Sequence, residues 1–294
     1  MRRMVLVLVL GTMASLLVPA SVAVAKPLDG RIVYSDIFGG SGIYSIAPDG
    51  TGRQHLVTDP GVYRPMWFPD GTGISFIAEI GPRGRRSRLE AIDVDGSNRR
   101  VLIGPSQFPV GYRSVSSYTW SPDGSQLVLG LYGDGTALFL SNPDGTSMTK
   151  ILDDAYSPDW SSLDRIVASR NGRLITFDPD GGNLVKLAVG SKDNEPAWSP
   201  DGTRLAFMCG GFGHADVCVA NADGSGLENL SKSDAVDWSP SWSPDGSRII
   251  WAPAVNARTG FANLWRMRAD GSATARITST KRIDEYEPDW IVLP

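Results

Sequence analysis

The chain has 294 residues, of which 41% are hydrophobic, 20% charged and 9% aromatic. This composition is typical of a globular protein and excludes a mainly disordered one. The net charge of −4 provides no basic field for nucleic acid, and two His and two Cys leave too few ligands for a His-rich metal site or a Cys-based zinc site. We therefore expect no nucleic-acid partner, no metal and no cofactor. The 33 glycines and 20 prolines favour many short strands joined by turns.

The first 25 residues have the pattern of an export signal. Arg2 and Arg3 precede a mostly apolar stretch from Val5 to Val18, and residues 23–25 supply a small-x-small cleavage pattern. The stretch is shorter than the roughly 20 residues needed to span a bilayer, which favours cleavage after Ala25 over retention as a membrane anchor. The mature chain is then predicted to be exported to the periplasm, the cell surface or the outside of the cell, without a membrane span.

A turn motif led by tryptophan recurs along the rest of the chain. The string Trp-Ser-Pro-Asp-Gly occurs three times, with one near copy and one degraded version. The repeat tryptophans are Trp67, Trp120, Trp160, Trp198, Trp242 and Trp290. Their separations of 53, 40, 38, 44 and 48 residues are typical of a four-stranded propeller blade. Each indole is predicted to pack between neighbouring blades.

A second turn marker, Asp-Gly, lies between alternating apolar runs. It begins at Asp49, Asp95, Asp144, Asp180, Asp223 and Asp270. Asp-Gly in this setting is a strong hairpin signal. The predicted unit is therefore an inner strand, a Ser-Pro-Asp-Gly turn, a second strand, a variable connection, a third strand, the Asp-Gly turn and a fourth strand.

The two ends of the array complement each other. It starts at Arg31 with a second strand and ends at Trp290 with an inner strand, so the C-terminal strand is predicted to complete the N-terminal blade. This gives one all-β domain over residues 29–294, a six-bladed β-propeller whose closure leaves only short sheet edges. We expect a monomer.

The only two cysteines flank a turn-like segment, Gly210 to His214. An oxidising compartment would permit a cross-strand disulfide between Cys209 and Cys218 that clamps this hairpin. Two separate buried thiols are the alternative.

The repeated Pro-x-Trp-Ser-Pro-Asp-Gly, with its later apolar strand and Asp-Gly, resembles the WD-like repeat of the TolB-type β-propeller family. The resemblance covers essentially the whole mature chain. It implies the propeller domain alone, without the N-terminal α/β domain of TolB and without the hydrolase domain of prolyl-oligopeptidase-like enzymes that share these repeats. In that family the propeller is typically a protein-binding module of the bacterial envelope. The Tol import role and peptidase activity do not carry over directly.

Candidate binding residues lie on the face of the variable connections, because the other face carries short, stereotyped turns. Two connections contribute Arg85, Arg86, Tyr112 and Arg113. The positions three and four before a repeat tryptophan are predicted to ring the channel mouth, and they contribute Tyr63, Arg64, Tyr156, Glu195, Trp238, Tyr286 and Glu287. Asp193, Asp237 and Glu285, five positions before a repeat tryptophan, add acids to this ring. In the alternative interpretation the aromatic rings cap the core between blades and the acids are solvated.

These residues support hypotheses from different classes. In the first, the protein is an exported, non-catalytic binding module that recognises a protein or peptide partner, since aromatic and Arg side chains dominate interface energetics. In the second, it is an enzyme acting on a glycan or small ester, with Glu195 and Glu287 as a carboxylate pair. A structural role in a larger envelope assembly is a third possibility that the sequence does not separate from the first.

Overall fold

A computed structural model describes residues 29–36, 42–81, 86–211, 213–254, 262–280 and 284–293. The predicted export signal and the candidate residue Arg85 lie outside the described residues. Within these ranges the regular elements are β-strands, and no helix is long and apolar enough to cross a membrane.

The strands form six four-stranded antiparallel sheets, which are the blades of the propeller. From the channel outwards, blade 1 consists of β24 (Glu285–Ile291), β1 (Arg31–Asp36), β2 (Gly42–Ile46) and β3 (Gln54–Val57). Blade 2 consists of β4 (Val62–Trp67), β5 (Gly73–Ile80), β6 (Arg86–Asp93) and β7 (Arg100–Ile103). Blade 3 consists of β8 (Tyr112–Trp120), β9 (Leu127–Gly133), β10 (Thr136–Ser141) and β11 (Thr149–Asp153).

The second half of the chain repeats this order. Blade 4 consists of β12 (Ala155–Trp160), β13 (Ile166–Arg170), β14 (Arg173–Phe177) and β15 (Val185–Lys186). Blade 5 consists of β16 (Asn194–Trp198), β17 (Arg204–Cys209), β18 (Asp216–Asn221) and β19 (Glu228–Asn229). Blade 6 consists of β20 (Val236–Trp242), β21 (Arg248–Ala254), β22 (Trp265–Arg268) and β23 (Ala275–Arg276).

The predicted closure of the ring is confirmed. Strand β24 pairs antiparallel with β1, with Ile32 opposite Trp290 and Asp36 opposite Glu285. The last strand of the chain thus forms the inner strand of the first blade.

The core consists of apolar layers between neighbouring blades. The six repeat tryptophans are all buried, with 4–8% of their surface exposed. Some of them also join blades by hydrogen bonds: the Trp242 indole N–H donates to Ala197 O of blade 5 at 3.1 Å, and that of Trp120 donates to Ser75 Oγ of blade 2 at 2.9 Å. The indoles therefore pack between neighbouring blades, as the sequence predicted.

The aspartates of the turns are structural. In the turn after Trp67, Asp70 Oδ1 accepts hydrogen bonds from Thr72 N and Thr72 Oγ1 at 2.9 and 2.8 Å. Such bonds stabilise the carboxylate and lower the pKa of Asp70, and those from Ser121 and Ser125 lower the pKa of Asp123 to about 2. These carboxylates hold the turns of one face in a fixed shape.

The predicted disulfide joins Cys209 at the end of β17 to Cys218 in β18, with a Cα–Cα distance of 5.8 Å. Cys218 lies in the core beside Phe207, its partner in the strand register. The bridge therefore closes the hairpin that the sequence suggested.

The indole hydrogen bonds generate a test of the packing between blades. We expect Trp242→Phe to lower the free energy of unfolding by about 1 kcal/mol more than Trp198→Phe. The first change removes an interblade hydrogen bond, whereas the Trp198 indole N–H has no hydrogen-bond partner among the described residues. Urea unfolding followed by fluorescence measures both variants, and equal losses would contradict the expectation.

Candidate functional site

Five of the six inner strands contain the same backbone irregularity, three residues before the repeat tryptophan. The residues with this left-handed backbone, at φ between 48 and 54°, are Arg64, Ser157, Glu195, Ser239 and Glu287. Each precedes a proline, which disfavours the right-handed helical conformation in the residue before it. The strand register shifts at this point. As a result, all five residues line the central channel.

Side chains at this level bond to the backbone of the next blade. Glu287 Oε2 accepts from Arg64 N at 2.6 Å, and Glu195 Oε2 accepts from Ser239 N at 2.9 Å. In blade 3, Ser117 Oγ accepts from Ser157 N at 3.1 Å. Side chains of the inner strands therefore join blade 1 to blade 2, blade 3 to blade 4, and blade 5 to blade 6.

Arg64, Glu195 and Glu287 form a charged layer across the channel. Arg64 Nε lies 3.3 Å from Glu287 Oε1, and Arg64 Nη2 lies 3.5 Å from Glu195 Oε1. Glu195 belongs to blade 5, which is opposite blade 2 in the ring, so the guanidinium reaches across the channel. Burial raises the pKa of Glu287, while the Arg64 guanidinium acts in the opposite direction. The sequence predicted all three residues at the channel, and the structure brings them into contact.

A cavity of about 250 Å³ lies on the turn side of the charged layer. It extends along the inner strands to Pro200 and Pro244 in the Ser-Pro-Asp-Gly turns. Asp159 and Asp289 also line it. The sequence analysis missed these two acids, although their position directly before a repeat tryptophan is a signal that could have identified them.

Both missed aspartates bond to the next blade. Asp159 Oδ2 accepts from Trp198 N at 2.6 Å, and Asp289 Oδ2 accepts from Trp67 N at 2.8 Å. Burial inside the channel is the main cause that raises the pKa of each aspartate to about 6, and the backbone N–H donors oppose that shift.

The four predicted mouth aromatics lie apart from this cavity. Tyr63, Tyr156, Trp238 and Tyr286 are half-buried and do not line it. Trp238 and Tyr286 pack on the core between blades 6 and 1, and Tyr63 packs on the core between blades 2 and 3. The rings thus cover the core between blades while keeping part of their surface exposed, and their role in binding stays a prediction.

The acids that enter the inner strands are not solvated, contrary to the alternative interpretation. Asp193, Asp237 and Glu285 are 0–1% exposed. Asp237 accepts from Ser233 Oγ and from the Trp251 indole N–H, both at 3.1 Å. Asp237 and Glu285 thereby bond to the variable connections, since Glu285 accepts from Thr278 Oγ1 and Thr280 Oγ1.

The other predicted residues lie near the boundary between blades 2 and 3. Arg86 and Arg113 are exposed and line a groove of about 760 Å³ together with Tyr63 and Tyr132. Tyr112 instead packs inwards, with its ring 4.9 Å from that of Phe139 in an edge-to-face contact. Sequence reasoning missed Tyr132, which is 51% exposed at the end of β9.

The chemistry of the channel carboxylates is constrained by their partners. Glu195 and Glu287 each contact Arg64, and each also accepts a backbone N–H. An acid–base mechanism would require these contacts to be broken first. In the described part of the chain, no group of three or more His, Cys, Asp or Glu side chains could hold a metal ion.

Comparisons with known proteins agree with the fold. Residues 187–292 match the family model for the TolB beta propeller domain. An uncharacterised peptidase of Bacillus subtilis is 27% identical over 148 residues, which is 49% of this chain and 21% of that protein. The chain therefore spans about a fifth of the length of that curated relative.

Two solved structures show the range of proteins that share the fold. TolB from Acinetobacter baumannii superposes with a TM-score of 0.76 at 18% identity, over 90% of this chain and 67% of that one. An oligogalacturonate lyase in complex with manganese gives a TM-score of 0.57 at 14% identity, over 81% of this chain and 70% of that one. The six-bladed propeller predicted from the repeats is thus confirmed, and residues 187–292 match the TolB propeller model.

The charged layer can be tested by removing its cation. We expect Arg64→Met to lower the free energy of unfolding by about 1–3 kcal/mol, because two carboxylates then face a channel without a counter-ion. The triple variant R64M/E195Q/E287Q should recover most of this loss, since Gln keeps an oxygen acceptor for the backbone N–H groups. Urea unfolding measures both, with Arg268→Met on the exposed surface as a control. A triple variant as unstable as the single one would contradict the ion-pair account.

The raised pKa of Asp159 and Asp289 predicts a pH effect of defined sign. A carboxyl with a pKa of about 6 in the folded protein and about 3.9 when unfolded makes stability fall as the pH rises from 4 to 6. We expect D159N/D289N to be more stable than the original protein at pH 7 and equal to it near pH 4.

The turn aspartate Asp70 provides the matched control. Its pKa is lowered, so its stabilising contribution is present above pH 4 and is lost as the pH falls below that value. Asp70→Asn should therefore lower stability at pH 7, and the difference should shrink in acid. Urea midpoints across this pH range measure all the variants, and a D159N/D289N effect that is independent of pH would refute the assignment.

Proposed function

We propose that the protein is an exported, non-catalytic binding module that recognises a protein or peptide partner through the face of the variable connections. One observation carries the proposal. Partly exposed aromatic rings and the exposed arginines Arg86 and Arg113, which form no ion pair with a described carboxylate, lie on this face, whereas the channel carboxylates that a hydrolytic mechanism would need already bond to Arg64 and to backbone N–H groups.

The aromatic residues are suited to anchoring a partner. Trp238 and Tyr286 are held by the core between blades 6 and 1, so little side-chain entropy is lost when a partner covers their exposed edges. Large aromatic side chains that are already fixed in place are typical binding hot spots. The likeness to TolB supports a protein partner over a small-molecule substrate.

Export is the second part of the proposal. The N-terminal pattern of two arginines, an apolar stretch and a small-x-small site supports it. The Cys209–Cys218 disulfide is compatible with it, because such bonds persist in oxidising compartments outside the cytoplasm. The partner would then be a component of the cell envelope or of the medium.

Crosslinking to the envelope and secreted proteins of the source organism tests the proposal. We expect one dominant crosslinked partner whose contact sites map to the variable face. Trp238→Ala and Tyr286→Ala should each reduce capture about tenfold or more, as expected for hot-spot residues.

Trp265→Ala is the matched control, because Trp265 is also half-buried but lies on β22, away from the channel. The fall in melting temperature of the Trp265→Ala variant measures the effect of removing a packed indole that lies away from the channel. Capture that survives both mouth variants, or crosslinks confined to the outer strands, would overturn the proposal.

A further inference from the structure

The boundary between blades 2 and 3 differs from the other blade boundaries. Blade 3 has Tyr118 where the other inner strands have proline, and Ser117 lacks the left-handed backbone of its counterparts. Neighbouring inner strands pack on one another elsewhere in the ring, and β8 packs on β12 in this way. Towards blade 2, however, β8 packs mainly on β6 and not on the inner strand β4. The Tyr118 hydroxyl links the two blades: it donates a hydrogen bond to Arg64 O at 2.9 Å and lies 3.0 Å from Ser75 Oγ.

A groove opens at the same boundary on the variable face. Its lining is Tyr63, Arg86, Ser87, Arg113, Ser114, Val115, Ser116 and Tyr132. Strand β8 forms one wall, and its register with β9 shifts twice between Tyr112 and Ser117, so the register skips Arg113 and Ser116. The groove volume of about 760 Å³ is large enough for several side chains of a ligand.

The groove is cationic on a protein with a net charge of −4. Arg86 and Arg113 are both exposed there, and neither forms an ion pair with a carboxylate in the part of the chain that the structure describes. The Arg113 guanidinium instead lies 5.7 Å from the centroid of the Tyr132 ring. This arrangement leaves guanidinium donors available to a carboxylate ligand.

The remaining groups of the groove suit a peptide. Tyr63 and Tyr132 offer partly exposed aromatic surface to an apolar side chain. A peptide with acidic and aromatic side chains can use both the arginines and the tyrosines, whereas a small anion uses the arginines alone.

From these observations we infer that the groove between blades 2 and 3 binds an acidic peptide segment of the partner, with its carboxylates on Arg86 and Arg113. The inference rests on the proposed function and assigns the chemistry of the partner at one place on the variable face. The groove is distinct from the surface formed by Trp238 and Tyr286, which lie at the boundary between blades 6 and 1.

Fluorescence anisotropy with a labelled decapeptide of alternating Glu and Tyr tests the inference. We expect the protein to bind this peptide about tenfold or more tightly than the matched peptide of alternating Gln and Tyr. Arg86→Gln and Arg113→Gln should each weaken binding about tenfold, and affinity should fall as NaCl rises from about 0.05 to about 0.5 M.

Arg268→Gln is the matched control, since it removes one exposed arginine from β22 without touching the groove, and it should leave the affinity unchanged. Equal affinity for the Glu and Gln peptides, no binding of the Glu peptide, or no effect of the two groove variants would overturn the inference. Binding of tetragalacturonate in the groove with no binding of the Glu peptide would also overturn it and would assign the groove to an acidic glycan.

The outcome is distinguishable from failure of the proposed function. A crosslinked partner that maps only to Trp238 and Tyr286, with no binding of the Glu peptide, rejects the groove and retains the binding module. Absence of any crosslinked partner rejects the module itself.

Discussion

Each inner strand of the propeller has one edge that no strand of its own sheet pairs with. The structure of the channel depends on which atoms accept hydrogen bonds from the N–H groups of this edge. An N–H group that lies away from water and has no acceptor is costly, so each inner strand needs oxygen atoms from outside its own sheet. In this protein the neighbouring blade supplies them. Glu287, Glu195 and Ser117 accept from the residue three before the next tryptophan, and Asp159 and Asp289 accept from the tryptophan itself.

The acids of the channel therefore already take part in bonds that hold the ring together. Each of these carboxylates already accepts a backbone N–H, and two of them also contact Arg64. The same bonds join one blade to the next. A change that releases a carboxylate for chemistry would therefore also weaken the ring, so stability and acid–base activity compete for the same atoms.

Sequence reasoning was most accurate where a structural requirement repeats. The spacing of Trp67 to Trp290 reports blade length, and the incomplete ends of the array specify which strands meet, so the fold and its closure could be predicted. The Cys209–Cys218 hairpin was predicted separately, because the two cysteines flank a turn-like segment. The channel position of Arg64, Glu195 and Glu287 followed from their common offset from the tryptophan.

The remaining features depend on contacts between residues far apart in the chain. The burial of Asp237 and Glu285 depends on how the variable connections fold over them, which periodicity does not encode. Likewise, Tyr112 and Arg113 are adjacent in the sequence, but one packs on Phe139 and the other is exposed, because successive side chains of a strand point to opposite faces. Tyr118 in the place of proline was a visible signal of the unusual blade boundary.

Closure by the last strand has a consequence for how the chain acquires its structure. Pairing of Ile32 with Trp290 joins residues from opposite ends of the domain, so it is among the contacts of highest sequence separation. Until β24 is available, β1 presents a bare strand edge of the kind that associates with other chains. Closure of the ring therefore requires β24, and until this strand is in place β1 of one copy can pair with a strand of another copy.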